Sequence, residues 1–291
     1  MHNVRQTRLR SRDRYPPMPN PSPSTPRYAV FGHPVAHSRS PAIQRAFAAQ
    51  FGATIDYTTI DTTAAAFSTA IHDFFEHGGA GANVTVPHKH AAGALADVRS
   101  AAVQAGGVAN VLTRLPDGRL RADNTDGSGL LRDLRQRRRF DLRDRRVLLL
   151  GAGGAARGIA APLLAEHPRE FVIVNRTHAT AAALATRLGG PAIAHDWSQM
   201  ATLGAFDLVL NATAAGVRHE PLPLPATLFG ADTLAYDLAY GAAAEAFLTL
   251  ARSAGASRTA DGFGMLLETA ADSFALWFGQ RPDTASVYAE T

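Results

Sequence analysis

Residues 145–177, RRVLLLGAGGAARGIAAPLLAEHPREFVIVNRT, constrain the fold more tightly than any other part of the chain. Residues 147–150 are four branched apolar side chains in a row with no polar alternation, the pattern of a parallel strand buried on both faces. Gly151, Gly153 and Ala156 follow at once as G-x-G-x-x-A. In that setting the first glycine makes the tight turn and the second lets backbone approach a diphosphate. The small third residue allows a helix to pack closely on the strand. The loop Gly151, Ala152, Gly153, Gly154, Ala155, Ala156 is therefore a candidate dinucleotide cradle, with the helix N-terminus facing the phosphates. A helix over 154–166 and a second strand over 171–174 complete a βαβ unit. Further strands are predicted in FDLVLNAT and LAYDLAY, giving a doubly wound half.

The end of the second strand separates the two common dinucleotides. A carboxylate there suits a ribose 2′-hydroxyl. This chain has Asn175, Arg176 and Thr177 instead. Nothing repels a 2′-phosphate and Arg176 can pair with one, so the cofactor indicated is NADP.

The N-terminal half also alternates strands with helices. Residues 28–31 read as a buried strand and HPVAHSRSP as a loop. SPAIQRAFAAQFG reads as a helix with Ser40 as N-cap and Pro41 in its first turn. TIDYTTID and GANVTVP read as strands, with a helix between them ended by Gly78 and Gly79. NVLTRLPDGRLRADNTD reads as a hairpin turning at Pro116, Asp117 and Gly118. The stretch GMLLETAADSFALWFG is a strongly apolar helix. The architecture expected is α/β: an N-terminal α/β substrate domain plus a Rossmann-type doubly wound NADP-binding domain, with a cleft between them. The boundaries expected are 27–125 plus 262–291 for the first and 126–261 for the second.

Charge is unevenly spread. The formal net charge is +4. Arg5, Arg8, Arg10, Arg12 and Arg14 crowd the start, and Arg132, Arg135, Arg137, Arg138, Arg139, Arg143, Arg145 and Arg146 form a second cluster. The rest of the chain is acidic on balance. Residues 1–26 are rich in proline and poor in apolar side chains, so a disordered tail is expected there. Met18 supplies an alternative start. The second cluster reads as a solvated helix face leading to a domain junction. No aromatic residues interleave with it as a nucleic-acid stacking platform would require. No run of about 18 apolar residues exists to span a membrane. The chain has no cysteine, which excludes disulfides and thiol chemistry.

Against this background one residue stands out. The chain has 29 Lys+Arg, and the single lysine among them is Lys89, in VTVPHKH. Arginine keeps its proton at any working pH, whereas a lysine can hold and release one. Val84 and Val86 are expected to be buried, Thr85 lies on the strand that Pro87 terminates, and Asp126 of DNTDG sits at a turn next to glycine. Ser38 and Ser40, at a helix start, suit a carboxylate. His88 and His90 read as bystanders rather than metal ligands, and no metal is expected.

YAVFGHPVAHSRSP, GANVTVPHK, DNTDG, GAGGAA, NRT, NATAAG and DGFGM together, in this order, resemble the shikimate dehydrogenase family over roughly residues 28 to 288. The resemblance implies reversible NADPH-dependent reduction of 3-dehydroshikimate to shikimate, a step toward chorismate and the aromatic amino acids. It implies Lys89 and Asp126 as the catalytic pair. It implies substrate contacts at Ser38, Ser40, Thr85, Asn110, Tyr240 and Thr269, and nicotinamide contacts at Leu238 and Gly262. It further implies a cytoplasmic enzyme with a small-molecule substrate, with a homodimer left open.

The chain departs from the family pattern in places. Thr269 stands where the family commonly has glutamine, which keeps quinate or an aminoshikimate open as the substrate. Thr180 stands where a second basic residue often follows NRT, which weakens the expected 2′-phosphate clamp. Leu238 replaces the more usual methionine, and GGVAN replaces Gly-Ala-Val-Asn while keeping Asn110.

Overall fold

The computed structural model describes residues 25–289. Apart from Thr25 and Pro26, the tail expected over 1–26 lies outside them. The described chain builds two six-stranded sheets. The first contains β1 (Arg27–Gly32), β2 (Asp56–Asp61), β3 (Gly79–Val84), β4 (Val98–Arg99), β5 (Val111–Arg114) and β6 (Leu120–Asp123), in the order β2-β1-β3-β5-β6-β4. β1 runs parallel to both β2 and β3. β5 and β6 form the expected antiparallel hairpin, with Val111 opposite Asp123.

The second sheet contains β7 (Arg146–Leu150), β8 (Glu170–Val174), β9 (Ala192–His195), β10 (Leu208–Asn211), β11 (Leu234–Asp237) and β12 (Arg258–Ala260). Its order is β12-β11-β10-β7-β8-β9 and every pairing is parallel. Numbered within this sheet, that is the 3-2-1-4-5-6 order of the doubly wound dinucleotide fold, with its switch point between β7 and β10. The apolar run in β7 has a direct physical reason. Val147 and Leu149 pack into the core on one face of the sheet, and Leu148 and Leu150 into the core on the other. β8 does the same with Phe171 and Ile173 against Val172 and Val174.

Two helices join the sheets. Asp126–Gln136 sends Leu130 and Leu134 into the core shared with Val147 and Leu149. Phe263–Phe278 sends Leu267, Phe274 and Trp277 into the core beneath β1, while its Met265 reaches the other core. Gly127 and Gly129 let these layers approach. A Cβ at Gly127 would run into the Pro162 ring, and one at Gly129 into Thr269.

The second arginine cluster is exposed as expected at Arg135, Arg139, Arg143 and Arg145, but the rest of it departs from a solvated face. Arg137 and Arg138 both pair with Asp133, which is fully buried. Arg132, Arg137 and Arg281 converge on Glu268, also fully buried. Burial pushes the Glu268 pKa up, but hydrogen bonds from Thr284, Arg137 and Arg281 outweigh it and leave it below the ordinary range. These arginines lock the two connecting helices together.

Candidate active site

Lys89 is the first residue of the helix Lys89–Leu95, a short segment that the sequence pattern does not predict. Its placement depends on the residues before it. β3 ends at Val84, and the Thr85 N–H donates to the Phe31 carbonyl at 2.8 Å. The chain then turns, and the His88 N–H donates to the Thr85 carbonyl at 2.9 Å. Val84 is buried as expected. Val86 is 49% exposed, against expectation, because the strand has ended and alternation no longer governs which way a side chain faces.

His88 is buried, stacked on Phe67 at 4.5 Å between ring centroids, with Nε2 donating to the Thr62 carbonyl at 2.7 Å. Burial lowers its pKa, partly offset by that hydrogen bond. Its ring anchors the turn that carries Lys89.

Lys89 Nζ donates to Asp126 Oδ2 at 2.5 Å, with the two side chains only 11% and 5% exposed. The other carboxylate oxygen, Oδ1, accepts from Asn110 Nδ2 at 2.9 Å. Asn110 is fixed in turn, since its Oδ1 accepts the Thr125 N–H at 2.9 Å and its Nδ2 also reaches Thr125 Oγ1 at 3.0 Å. The Asp126 N–H donates to Asn124 Oδ1 at 3.0 Å, an Asx-type turn that opens the helix. Asn124 and Thr125 thus hold the pair in register. The DNTDG motif contains both, and their role follows only once the turn geometry is visible.

The pair sits beside the glycine loop. A Cβ on Gly154 would lie 3.4 Å from Lys89 Cβ, and one on Gly158 would lie 2.9 Å from Asp126 Oδ2. Gly154 is the first residue of the helix Gly154–Leu164, whose N-cap is Gly153. Gly151 adopts φ 105°, open only to glycine at low cost, and a Cβ there would press on the Ala212 carbonyl. Gly153 has open space where a Cβ would be. Ala152 and Ala156 are buried and Ala155 half-buried. Backbone N–H groups at a helix N-terminus with no side chain in the way fit a diphosphate. At the end of β8, Asn175 Nδ2 donates to the Thr177 carbonyl at 3.1 Å, and Thr177 is the N-cap of the helix His178–Leu188. Thr180 lies in the first turn of that helix, its N–H donating to the Thr177 carbonyl. The Arg176 side chain is 84% exposed.

The remaining candidates fall into two groups. Ser38 Oγ donates to Ser40 Oγ at 3.2 Å, and the Ser40 N–H donates to Ser38 Oγ at 3.3 Å. Ser40 is therefore not the N-cap. The helix Ser40–Ala49 starts on it, Arg39 takes the cap position, and the Ser40 hydroxyl is engaged with Ser38 rather than with the helix backbone. Between the serines, Arg39 lies over the Phe263 ring at 4.7 Å, and Phe263 meets Tyr240 at 6.2 Å. Gly262 is pressed so closely on the Leu238 carbonyl that no Cβ fits. Ser38, Ser40, Tyr240, Leu238 and Gly262 are thereby linked through Arg39 and Phe263. Thr85 joins the loop of the serines from the other side, its methyl against Gly32. Thr269 turns inward, with its hydroxyl toward Gly129 and its carbonyl accepting from Thr125 Oγ1 at 3.2 Å.

A doubly wound parallel sheet with this glycine loop, and a buried lysine–carboxylate pair beside it, defines a dinucleotide-dependent oxidoreductase class. The comparisons with known proteins narrow it. Residues 30–112 match the shikimate dehydrogenase substrate binding domain, and residues 133–218 match the shikimate / quinate 5-dehydrogenase family. The chain is 52% identical over 267 residues to the shikimate dehydrogenase (NADP(+)) of Xanthomonas euvesicatoria pv. vesicatoria, covering 90% of this chain and 94% of that one. Among solved structures, it is similar to an Ael1 enzyme from Pseudomonas putida, with 44% identity and a TM-score of 0.83 over 91% of this chain and 98% of that one. The shikimate 5-dehydrogenase of Thermus thermophilus in complex with NADP(H) and shikimate is 33% identical, with a TM-score of 0.77 over 91% and 98%. The chain belongs to the shikimate dehydrogenase family.

Proposed function

We propose that this protein is an NADP-dependent shikimate dehydrogenase, interconverting 3-dehydroshikimate and shikimate, with Lys89 and Asp126 handling the proton. The observation that carries the reading is the closed set Lys89–Asp126–Asn110 against the first turns of the glycine-loop helix. Bound NADPH would supply the hydride. Among the described residues Lys89 Nζ has one hydrogen-bond partner, Asp126, so its other N–H bonds remain for a substrate oxygen. As the carbonyl becomes an alkoxide, Lys89 stabilises the charge and then gives up a proton. Asp126, fixed by Asn110, orients the ammonium and restores its hydrogen bond afterwards.

Gly151, Ala152, Gly153, Gly154, Ala155 and Ala156 would hold the diphosphate. Asn175, Arg176, Thr177 and Thr180 would surround the 2′-phosphate, and Leu238 and Gly262 the nicotinamide. Ser38, Ser40, Thr85, Asn110, Tyr240 and Thr269 would line the substrate site. In this reading residues 27–125 with 262–291 form the substrate half, 126–261 form the cofactor half, and the reaction takes place in the cleft between them. The enzyme would be cytoplasmic, with a small-molecule substrate and no nucleic-acid partner. Among the described residues no helix is long and apolar enough to cross a membrane.

The inward turn of Thr269 favours one alternative. A short side chain committed to Thr125 and Gly129 gives no amide to the substrate's ring hydroxyls, which opens the site to quinate or an aminoshikimate. An absorbance assay at the NADPH band, with shikimate and quinate each tested against NADP and NAD, separates these readings. The highest kcat/KM is expected for shikimate with NADP. Equal or better use of quinate would replace the first reading with the second.

A further inference from the structure

The end of β8 is not the sole source of charge near the adenosine side of the cradle. β8 and β10 flank β7 on opposite sides, and both strand ends touch Gly151 of the glycine loop, whose N–H donates to the Val174 carbonyl and where a Cβ would press on the Ala212 carbonyl. The turn after β10 carries Arg218 and Glu220. It is held by its own backbone: the Arg218 N–H donates to the Ala214 carbonyl at 3.0 Å, and the Glu220 N–H to the Ala215 carbonyl at 2.9 Å. Ala215 is buried, and Gly216 is pressed against the Ala243 carbonyl so that no Cβ fits. From this anchored turn, Glu220 Oε2 lies 3.8 Å from Arg176 Nη1, and Glu220 Oε1 lies 4.0 Å from Arg218 Nη1. All three side chains are substantially exposed, and both guanidinium contacts are long for hydrogen bonds.

We infer that Arg218 is the second basic group of the 2′-phosphate clamp, and that Glu220 is an internal anion that holds both guanidiniums in place until a phosphate replaces it. The inference rests on the NADP reading above. It resolves the gap at Thr180, because the missing charge comes from the β10 side of the groove instead of the helix after β8. A ribose 2′-phosphate offers three acceptor oxygens and about two negative charges, enough to engage two arginines, whereas one exposed carboxylate engages each weakly. Glu220 then acts as a specificity residue. It opposes a phosphate by like charge and can accept from a free ribose hydroxyl, so it moderates the preference between the two dinucleotides.

The test is calorimetric titration of the full chain with NADP+ and with NAD+. Arg218→Gln is expected to weaken NADP+ binding about tenfold, the loss of one hydrogen bond to a charged group, with NAD+ affinity unchanged. Arg218→Lys should recover part of the loss. Glu220→Gln should tighten NADP+ binding severalfold and leave NAD+ unchanged or weaker. An Arg218→Gln variant that keeps the wild-type ratio, or weakens both nucleotides alike, overturns the assignment of Arg218 while leaving the NADP reading intact. A wild-type protein with no preference for NADP+ overturns both.

Discussion

Lys89 with Asp126, and Arg137 with Glu268, are both cation–carboxylate pairs withdrawn from solvent, yet they are wired differently. Arg137 has several protein partners. It reaches Glu268 and Asp133, donates to Thr284 Oγ1 at 2.9 Å, and lies over the Tyr288 ring at 4.8 Å. Glu268 is likewise engaged by Arg137, Arg281 and Thr284. The cluster holds the helix Phe263–Phe278 on its neighbours, with the buried Arg132 Nε and Asp133 Oδ1 in ion-pair contacts alone. At the other pair the carboxylate is saturated by Lys89 and Asn110, but the ammonium has a single protein partner among the described residues. A rigid fork with a permanent proton suits the lock, and a point charge with spare donors suits the site. Under the proposed function, the chain uses its one lysine where a proton would have to move.

The largest effect that sharpens this contrast is expected at the lysine. Lys89→Ala should lower kcat by about 100- to 10,000-fold, the usual worth of a general acid, and should also lower the thermal midpoint, because it leaves the buried Asp126 carboxylate without its cation. Steady-state kinetics beside a melting curve reads both. Next comes the lock. Glu268→Ala leaves several arginines facing a buried vacancy. It should cost about 3–5 kcal/mol in denaturant unfolding, as for removing one partner of a buried ion pair. Residual turnover of the fraction still folded should stay near wild type.

A smaller effect belongs to Asp237, at the end of β11. Burial pushes its pKa up to about 7, against donors from Ala239 and Asn211 that pull it down. Its folded pKa lies above the unfolded value, so the folded state binds more protons across that interval. Stability from this group is full below the unfolded pKa and falls as pH rises toward about 7. Asp237→Asn should flatten that fall in unfolding curves taken from about pH 4 to 8. The smallest effect is expected from deleting residues 1–24. Turnover should stay unchanged, and any salt-sensitive retention on nucleic acid should disappear with the arginines.

Local signals make much of this molecule legible. The β7 run, the glycine loop and the β5–β6 turn each depend on residues within a few positions of one another, so short-range patterning places them. The meeting of Lys89 with Asp126 comes from family motifs, since 37 positions separate them and no periodicity links them. Three things escape a reading of the sequence. Arg132 and Arg137 look solvated because their shared acid, Glu268, lies more than 130 positions downstream. Ser40 looks like a cap, but its hydroxyl finds Ser38 instead. The helix Lys89–Leu95 is seven residues rich in alanine and has no amphipathic period to reveal it. Val86 shows the complementary limit, since alternation holds only while the strand lasts.

The most direct test exchanges the two cations. Lys89→Arg keeps the charge but removes the labile proton, and Arg137→Lys keeps a charge but removes the fork. Lys89→Arg is expected to lose turnover as severely as Lys89→Ala while melting near wild type. Arg137→Lys is expected to lose stability while its folded fraction turns over normally. Near-wild-type turnover in Lys89→Arg, measured at the NADPH band with shikimate, would contradict the role assigned to Lys89.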